Sequence, residues 1–101
     1  MREFLRGAVR LHILYHADRG EVHGAWMAKE LAAHGYRISP GSLYPTLHKM
    51  EAEGLLRSSQ QVIGGRGRRS YVTTAKGRRV LESTKRALRE LAREVLGDET
   101  S

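Results

Sequence analysis

Leu5, Val9 and Ile13, with Leu11 and Leu14 beside them, recur at helical spacing and mark a first helix over residues 2 to 18, with Gly20 as its stop. Its apolar face is wide, so a broad side of it is expected in the core. Asp18, Arg19 and Gly20 make a turn into a short second helix over residues 23 to 34. There Met27 and Leu31 stand one turn apart, and Gly35 follows where a left-handed residue is wanted. Ser39 and Pro40 open a third helix: the serine oxygen can accept a free backbone N–H, and proline in the first turn has no N–H to leave unpaired. Leu43, Leu47 and Met50 share one face of it, and Gly54 is its left-handed cap. The other face carries Gly41, Ser42, Pro45, His48 and Lys49. Pro45 forfeits one helical bond and presses on the carbonyl of Gly41, where a missing side chain leaves room.

After Gly54 the pattern becomes extended over residues 55 to 63 and 69 to 73, on either side of Gly64-Gly65-Arg66-Gly67-Arg68. This is a β-hairpin with a glycine-rich, arginine-bearing tip. Thr74 then caps a last long helix in which Leu81, Thr84, Leu88, Leu91 and Val95 alternate steps of three and four, a heptad-like seam ending at Gly97 and a polar tail. The expected fold is α+β: a winged helix-turn-helix over residues 1–74, with an N-terminal helix, followed by a long C-terminal dimerisation helix and tail over residues 75–101. A chain of 101 residues has material for one modest core, and a seam several turns long favours a second copy as its partner.

Composition narrows the function. Hydrophobic residues form 40% of the chain, enough to fold. Lys and Arg number 18 against 11 Asp and Glu, a formal net charge of +7 that favours a polyanionic partner. There is no cysteine, which removes disulfides, thiolate metal sites and thiol catalysis. No signal peptide or membrane span fits the N-terminal segment. Phosphate-binding glycine loops, nucleophile elbows and HExxH motifs are lacking, so neither an enzyme nor a cofactor is expected.

Placement of the charge points to double-stranded DNA. Two short helices joined by a tight turn, the second opening with small polar residues, match the arrangement in which the second helix enters the major groove. The free N–H groups and partial positive charge at that helix start make Ser39, Gly41 and Ser42 a phosphate anchor. Tyr44, Pro45, His48 and Lys49 follow on the face that reaches base edges or sugar-phosphate. Tyr44 packing on its own scaffold is the alternative. Arg66, Arg68 and Arg69 of the hairpin tip supply a second contact, in or beside the minor groove, a solvated loop being the alternative.

Leu5-Arg6-Gly7, His23-Gly24, the run from Ser39 through Gly41, Tyr44 and Pro45 to Leu47, Glu53-Gly54-Leu55-Leu56, and Tyr71 followed by Thr74-Ala75-Lys76-Gly77-Arg78 together resemble the PadR family of bacterial transcriptional regulators, in its short-C-terminus subfamily. The resemblance spans nearly the whole chain. It implies a homodimeric, cytoplasmic, nucleoid-associated repressor on a pseudo-palindromic operator. In it the last helix and the first form the dimer interface, which puts Leu5 and Val9 beside Leu81, Thr84, Leu88, Leu91 and Val95. Members of the family control detoxification, efflux and phenolic-acid metabolism, and some respond to aromatic or cationic compounds. Ala25 and Trp26 depart from the usual Tyr-Glu, and the last helix has no aromatic residue, so an aromatic sandwich at the dimer centre is not expected.

His12 and His16 are four apart, a spacing that can place two imidazoles on one metal, but no carboxylate or cysteine lies at a matching local spacing. A structural or partly buried role is the expected one, with a pH-responsive, metal-responsive or effector-binding role as the alternative. Trp26 is expected in the core, with a place in an effector pocket as its alternative. Arg86, Arg89 and Arg93 alternate with Glu82, Glu90 and Glu94 and are expected as a solvated ion-pairing face. A non-sequence-specific nucleic-acid binder and a winged-helix protein-interaction module are the rival functions.

Overall fold

The computed structural model describes residues 1–97, so the polar tail lies outside the described residues. The elements run α1 (Arg2–Arg19), β1 (Val22–His23), α2 (Gly24–Ala33), α3 (Pro40–Ala52), β2 (Leu56–Ile63), β3 (Arg66–Thr73) and α4 (Ala75–Leu96). The four helices follow the periodicities of the sequence. The sheet has three strands, in the order β1-β3-β2, all antiparallel.

The helices bury one stripe each against a common centre. Val9, Ile13, Leu14 and Ala17 come from α1, Met27 and Leu31 from α2, and Leu43, Leu47 and Met50 from α3. Val22 from β1, Leu55 just before the hairpin, Leu56 and Tyr71 within it and Leu81 from α4 complete the cluster. Gly35 and Gly54 take the left-handed conformation that follows α2 and α3, with φ of 89° and 80°.

Three local details differ from the sequence expectation. The strand β1 carries no sequence signal; it pairs Val22 with Tyr71 and His23 with Ser70. The wing tip is tighter than the five-residue Gly/Arg run implies. Gly64 and Gly65, at φ 58° and 79°, form a two-residue turn of the kind that needs positive φ at both positions. Pairing therefore begins at once, with Ile63 opposite Arg66. Ser39 makes no side-chain cap: its hydroxyl turns to Ser42 Oγ at 3.4 Å, and its carbonyl accepts the N–H groups of Ser42 and Leu43.

The start of α4 is bolted to the rest. Thr74 Oγ1 accepts the N–H of Gly77 at 3.0 Å and donates to the carbonyl of Gly54 at 2.5 Å. Lys76 Nζ donates to the carbonyl of Glu53 at 2.7 Å, and Arg78 Nε pairs with Asp18 Oδ1 of α1 at 2.8 Å. Arg10 of α1 pairs with Glu53 at the end of α3. The base of α4 thus belongs to the helix-turn-helix core, and the rest of the helix extends from it along a molecule 52 Å in its longest dimension.

Candidate nucleic-acid interface

Helix α3 is amphipathic in the sense its sequence requires. Leu43 and Leu47 are at most 1% exposed, whereas Gly41, Ser42, Tyr44, Pro45, His48 and Lys49 all lie on the exposed side. Thr46 Oγ1 donates to the carbonyl of Ser42 at 2.9 Å, which holds the helix together beside Pro45. In the first turn Pro40 has no N–H and that of Ser42 goes to the Ser39 carbonyl at 2.9 Å, so the N–H of Gly41 is the one that a Ser39 side-chain cap would have met and does not.

Tyr44 is both packed and open. It is 42% exposed, yet its ring lies over Gly24 at the start of α2, so a Cβ at position 24 would stand 2.6 Å from Tyr44 Cε1. The phenol is thereby held against α2 while its outer edge faces solvent.

The wing arginines stand on β3 rather than in a loop. Arg66, Arg68 and Arg69 are exposed and lie opposite Ile63, Gln61 and Gln60. Alternation along the strand puts Arg66 and Arg68 on one face and Arg69 on the other. Arg69 Nη1 donates to Ser58 Oγ at 3.0 Å, and Ser58 donates from both its hydroxyl (2.6 Å) and its N–H (3.1 Å) to Glu51 Oε2 at the end of α3. The hydroxyl bond of Ser58, ahead of its backbone bond and the charges of Arg69 and His48, holds the Glu51 carboxyl below the usual carboxylate range. This relay ties the wing to the C-terminal end of α3, so the two basic elements keep a fixed relation.

Of the seam residues, Val9 and Leu81 are corrected. At 8% and 1% exposure they lie in the chain's own core, because α1 and α4 pack on each other at that level. Thr84 is half-buried and donates to the carbonyl of Val80 at 2.7 Å. Leu5, Leu88, Leu91 and Val95 remain between 45% and 68% exposed, as do Phe4 and Leu96, and Phe4 of α1 lines one open groove with Leu88 and Leu91 of α4. An ion pair on α4 joins Lys85 Nζ to Glu82 Oε1 at 3.3 Å, and Arg86, Arg89 and Arg93 are exposed.

His12 and His16 are half-buried and line an open cleft of about 500 Å³ with Leu11, Tyr15, Leu81 and Leu88. Trp26 is not in the core: it is 44% exposed and meets His16 edge-on at 5.2 Å between ring centres. The sequence reading missed His34, which α2 delivers to the same cleft, 4.9 Å from His12 between ring centres. Burial, then the charges of His34 and His16, push the His12 imidazole below its ordinary pKa, against a raising effect of Glu30. Among the described residues no helix is long and apolar enough to cross a membrane.

The arrangement has counterparts in known proteins. The profile of the family described as "Transcriptional regulator PadR-like family" matches residues 13–83. A protein of Mycobacterium tuberculosis named "Transcriptional regulator Rv3488" is 63% identical over 100 residues, covering 99% of this chain and 94% of that one. A PadR-like transcriptional regulator of Bacillus cereus superposes with a TM-score of 0.85 at 30% identity, over 98% of each chain. A PadR family regulator of Eggerthella lenta does so with a TM-score of 0.81 at 33% identity, over 92% of this chain and 82% of that one. With a winged helix-turn-helix fold and a match of this extent, the chain belongs to the PadR-like family of transcriptional regulators, which are regulatory DNA-binding proteins and not enzymes.

Proposed function

We propose that this chain is a homodimeric, effector-responsive repressor that binds a pseudo-palindromic operator. The observation that carries the reading is the exposure of five large apolar side chains on α1 and α4, Phe4, Leu5, Leu88, Leu91 and Val95, of which Phe4, Leu88 and Leu91 line one groove. Apolar exposure of this kind costs free energy in water, and a second copy in isologous contact covers it on both chains at once. Two-fold pairing then presents two α3 helices to successive major grooves, roughly 34 to 36 Å apart.

Within each half-site the roles follow from exposure. The start of α3 at Ser39, Gly41 and Ser42 anchors a phosphate, while Tyr44, Pro45, His48 and Lys49 read the groove, and Arg66, Arg68 and Arg69 of the wing hold the flanking backbone. Occlusion of a promoter gives repression, in the cytoplasm at the nucleoid. The cleft beside His12, His16 and Trp26 takes the effector. Because it adjoins Leu88 on α4, occupancy alters the packing from which the spacing of the two reading heads is set. On this reading, residues 1–74 form the DNA-binding domain and residues 75–101 the dimerisation element, whose base through Leu81 is shared with the core of that domain.

Sedimentation and footprinting on the DNA upstream of its own gene test this. The expected result is a dimer protecting one short palindrome, and a Leu88→Asp/Leu91→Asp variant that sediments as a monomer and loses the site, since bivalent engagement is gone. A wild-type monomer that binds as tightly as the dimer should, or uniform protection of any duplex, overturns the reading.

A further inference from the structure

We propose that His12 and His16 of α1 with His34 at the end of α2 form a binding site for a divalent transition-metal cation of the zinc class, with Glu30 as the fourth ligand. One ligand nitrogen from each of the three histidines lies within 4.8 Å of the other two. In a tetrahedral zinc site with Zn–N near 2.0 to 2.1 Å, ligand nitrogens stand about 3.3 Å apart. The remaining closure is within the range of side-chain rotation, because His12 and His16 are half-buried and His34 is exposed at the rim.

The carboxylate is already aimed at the cluster. Glu30 Oε1 lies 3.1 Å from His34 Nε2 and 3.6 Å from His16 Nε2. Three imidazoles and one carboxylate suit zinc, cobalt, nickel or copper far better than calcium or magnesium, which prefer all-oxygen shells. Three imidazoles this close repel one another when protonated and are held together when each donates a lone pair to one cation. The surround is apolar and aromatic: Tyr36 meets His12 edge-on at 5.1 Å, and Trp26 and Tyr15 flank His16. Lys85 also lines the cleft, and its charge is met by Glu82.

The spacing of His12 and His16 announces only half of this site, because the far end of α2 supplies the other two ligands. A bound cation would therefore cross-link α1 to α2. The site lies in the cleft assigned above to the effector, so the cation is the effector of that reading; its binding does not itself depend on the regulator reading, and the test needs no DNA.

The test uses the full chain without a histidine tag, titrated with Co²⁺ and followed by visible d–d absorption, then with Zn²⁺ as competitor. One Co²⁺ per chain with tetrahedral-type absorption, displaced by zinc, is expected. Zinc should also raise the melting temperature, since it binds the folded form preferentially. His12→Gln, His16→Gln and His34→Gln should each weaken binding by at least about tenfold, the low end of effects seen at metal sites. His48→Gln, on α3, should leave it unchanged. Each variant is first shown to melt cooperatively without metal, so that lost binding is not lost folding. Absence of cobalt absorption and of a zinc-induced melting shift in the wild-type chain overturns the site, as does equal binding by folded His16→Gln and His34→Gln variants.

Discussion

Tyr44 of α3 rests its ring on the bare backbone of Gly24 at the start of α2, where a Cβ would come within 2.6 Å of Tyr44 Cε1 and 3.0 Å of its hydroxyl oxygen. The two helices of the reading head are thereby in register through a residue that also faces solvent. Gly24→Ala must swing the phenol outward, and because the ring is partly exposed the protein can fold around the change. Operator affinity should fall on the order of tenfold, the scale of one base contact of about 1 to 2 kcal/mol. Binding by gel shift checks this, with Tyr44→Ala as the reference. Unaltered affinity in both variants would take Tyr44 out of the interface.

A second glycine is fixed by backbone rather than by a side chain. A Cβ on Gly77, in the first turn of α4, would collide with the carbonyl oxygen of Leu55 and stand 2.7 Å from Thr73 Cγ2. The carbonyl cannot rotate away, because Leu55 is buried and its oxygen accepts the N–H of Thr74 at 3.1 Å. Gly77→Ala should therefore cost about 1 to 3 kcal/mol, as overpacking does. For a domain of this size that is a fall in melting temperature of about 4 to 8 °C per kcal/mol. A variant as stable as the parent would mean that α4 can lift from the wing base.

These contacts mark the boundary of what the sequence makes legible. The four helices are readable because Leu43, Leu47 and Met50, or Met27 and Leu31, repeat at the pitch of a helix. Val22 and His23 carry no period at all in two residues; they become a strand only because β3 offers an edge. The Gly/Arg run reads as a loop, but Gly64 and Gly65 absorb the whole reversal and leave Gly67 free to pair. A heptad seam does not distinguish a neighbour in the same chain from a second copy, so Val9 and Leu81 look like Leu88 in the sequence although they face inward. His34 is invisible as a neighbour of His12 because only the packing of α2 on α1 brings them together.

The relay from Glu51 through Ser58 predicts an acid-sensitive component of stability. The folded carboxyl is held below its unfolded pKa, first by the Ser58 hydroxyl. Stability from it is therefore complete above the ordinary glutamate pKa and lost as pH falls through the lowered folded value. Ser58→Ala removes the hydroxyl bond and keeps the backbone one. The melting-temperature gap between wild type and Ser58→Ala should be widest near neutral pH and close as pH drops below about 4. A gap that does not change with pH would assign the effect of Ser58 to packing alone.

The same relay separates the wing arginines in their response to salt. Arg66 and Arg68 share one face of β3, whereas Arg69 is on the other, bonded to Ser58 and through it to Glu51. A charge already engaged with its own scaffold releases fewer counterions when DNA arrives. Arg66→Gln and Arg68→Gln together should weaken binding to all duplexes alike and flatten the salt dependence by about 0.9 in log–log slope for each phosphate that is no longer neutralised. Arg69→Gln should change the slope less and instead lower stability slightly, by up to about 1 kcal/mol, the scale of the one hydrogen bond lost to Ser58. Affinity measured across a salt series, beside thermal melts of the same variants, decides between them. Equal slope changes from all three positions would mean that Arg69 leaves Ser58 on binding, and no change from Arg66 and Arg68 would remove the wing from the interface.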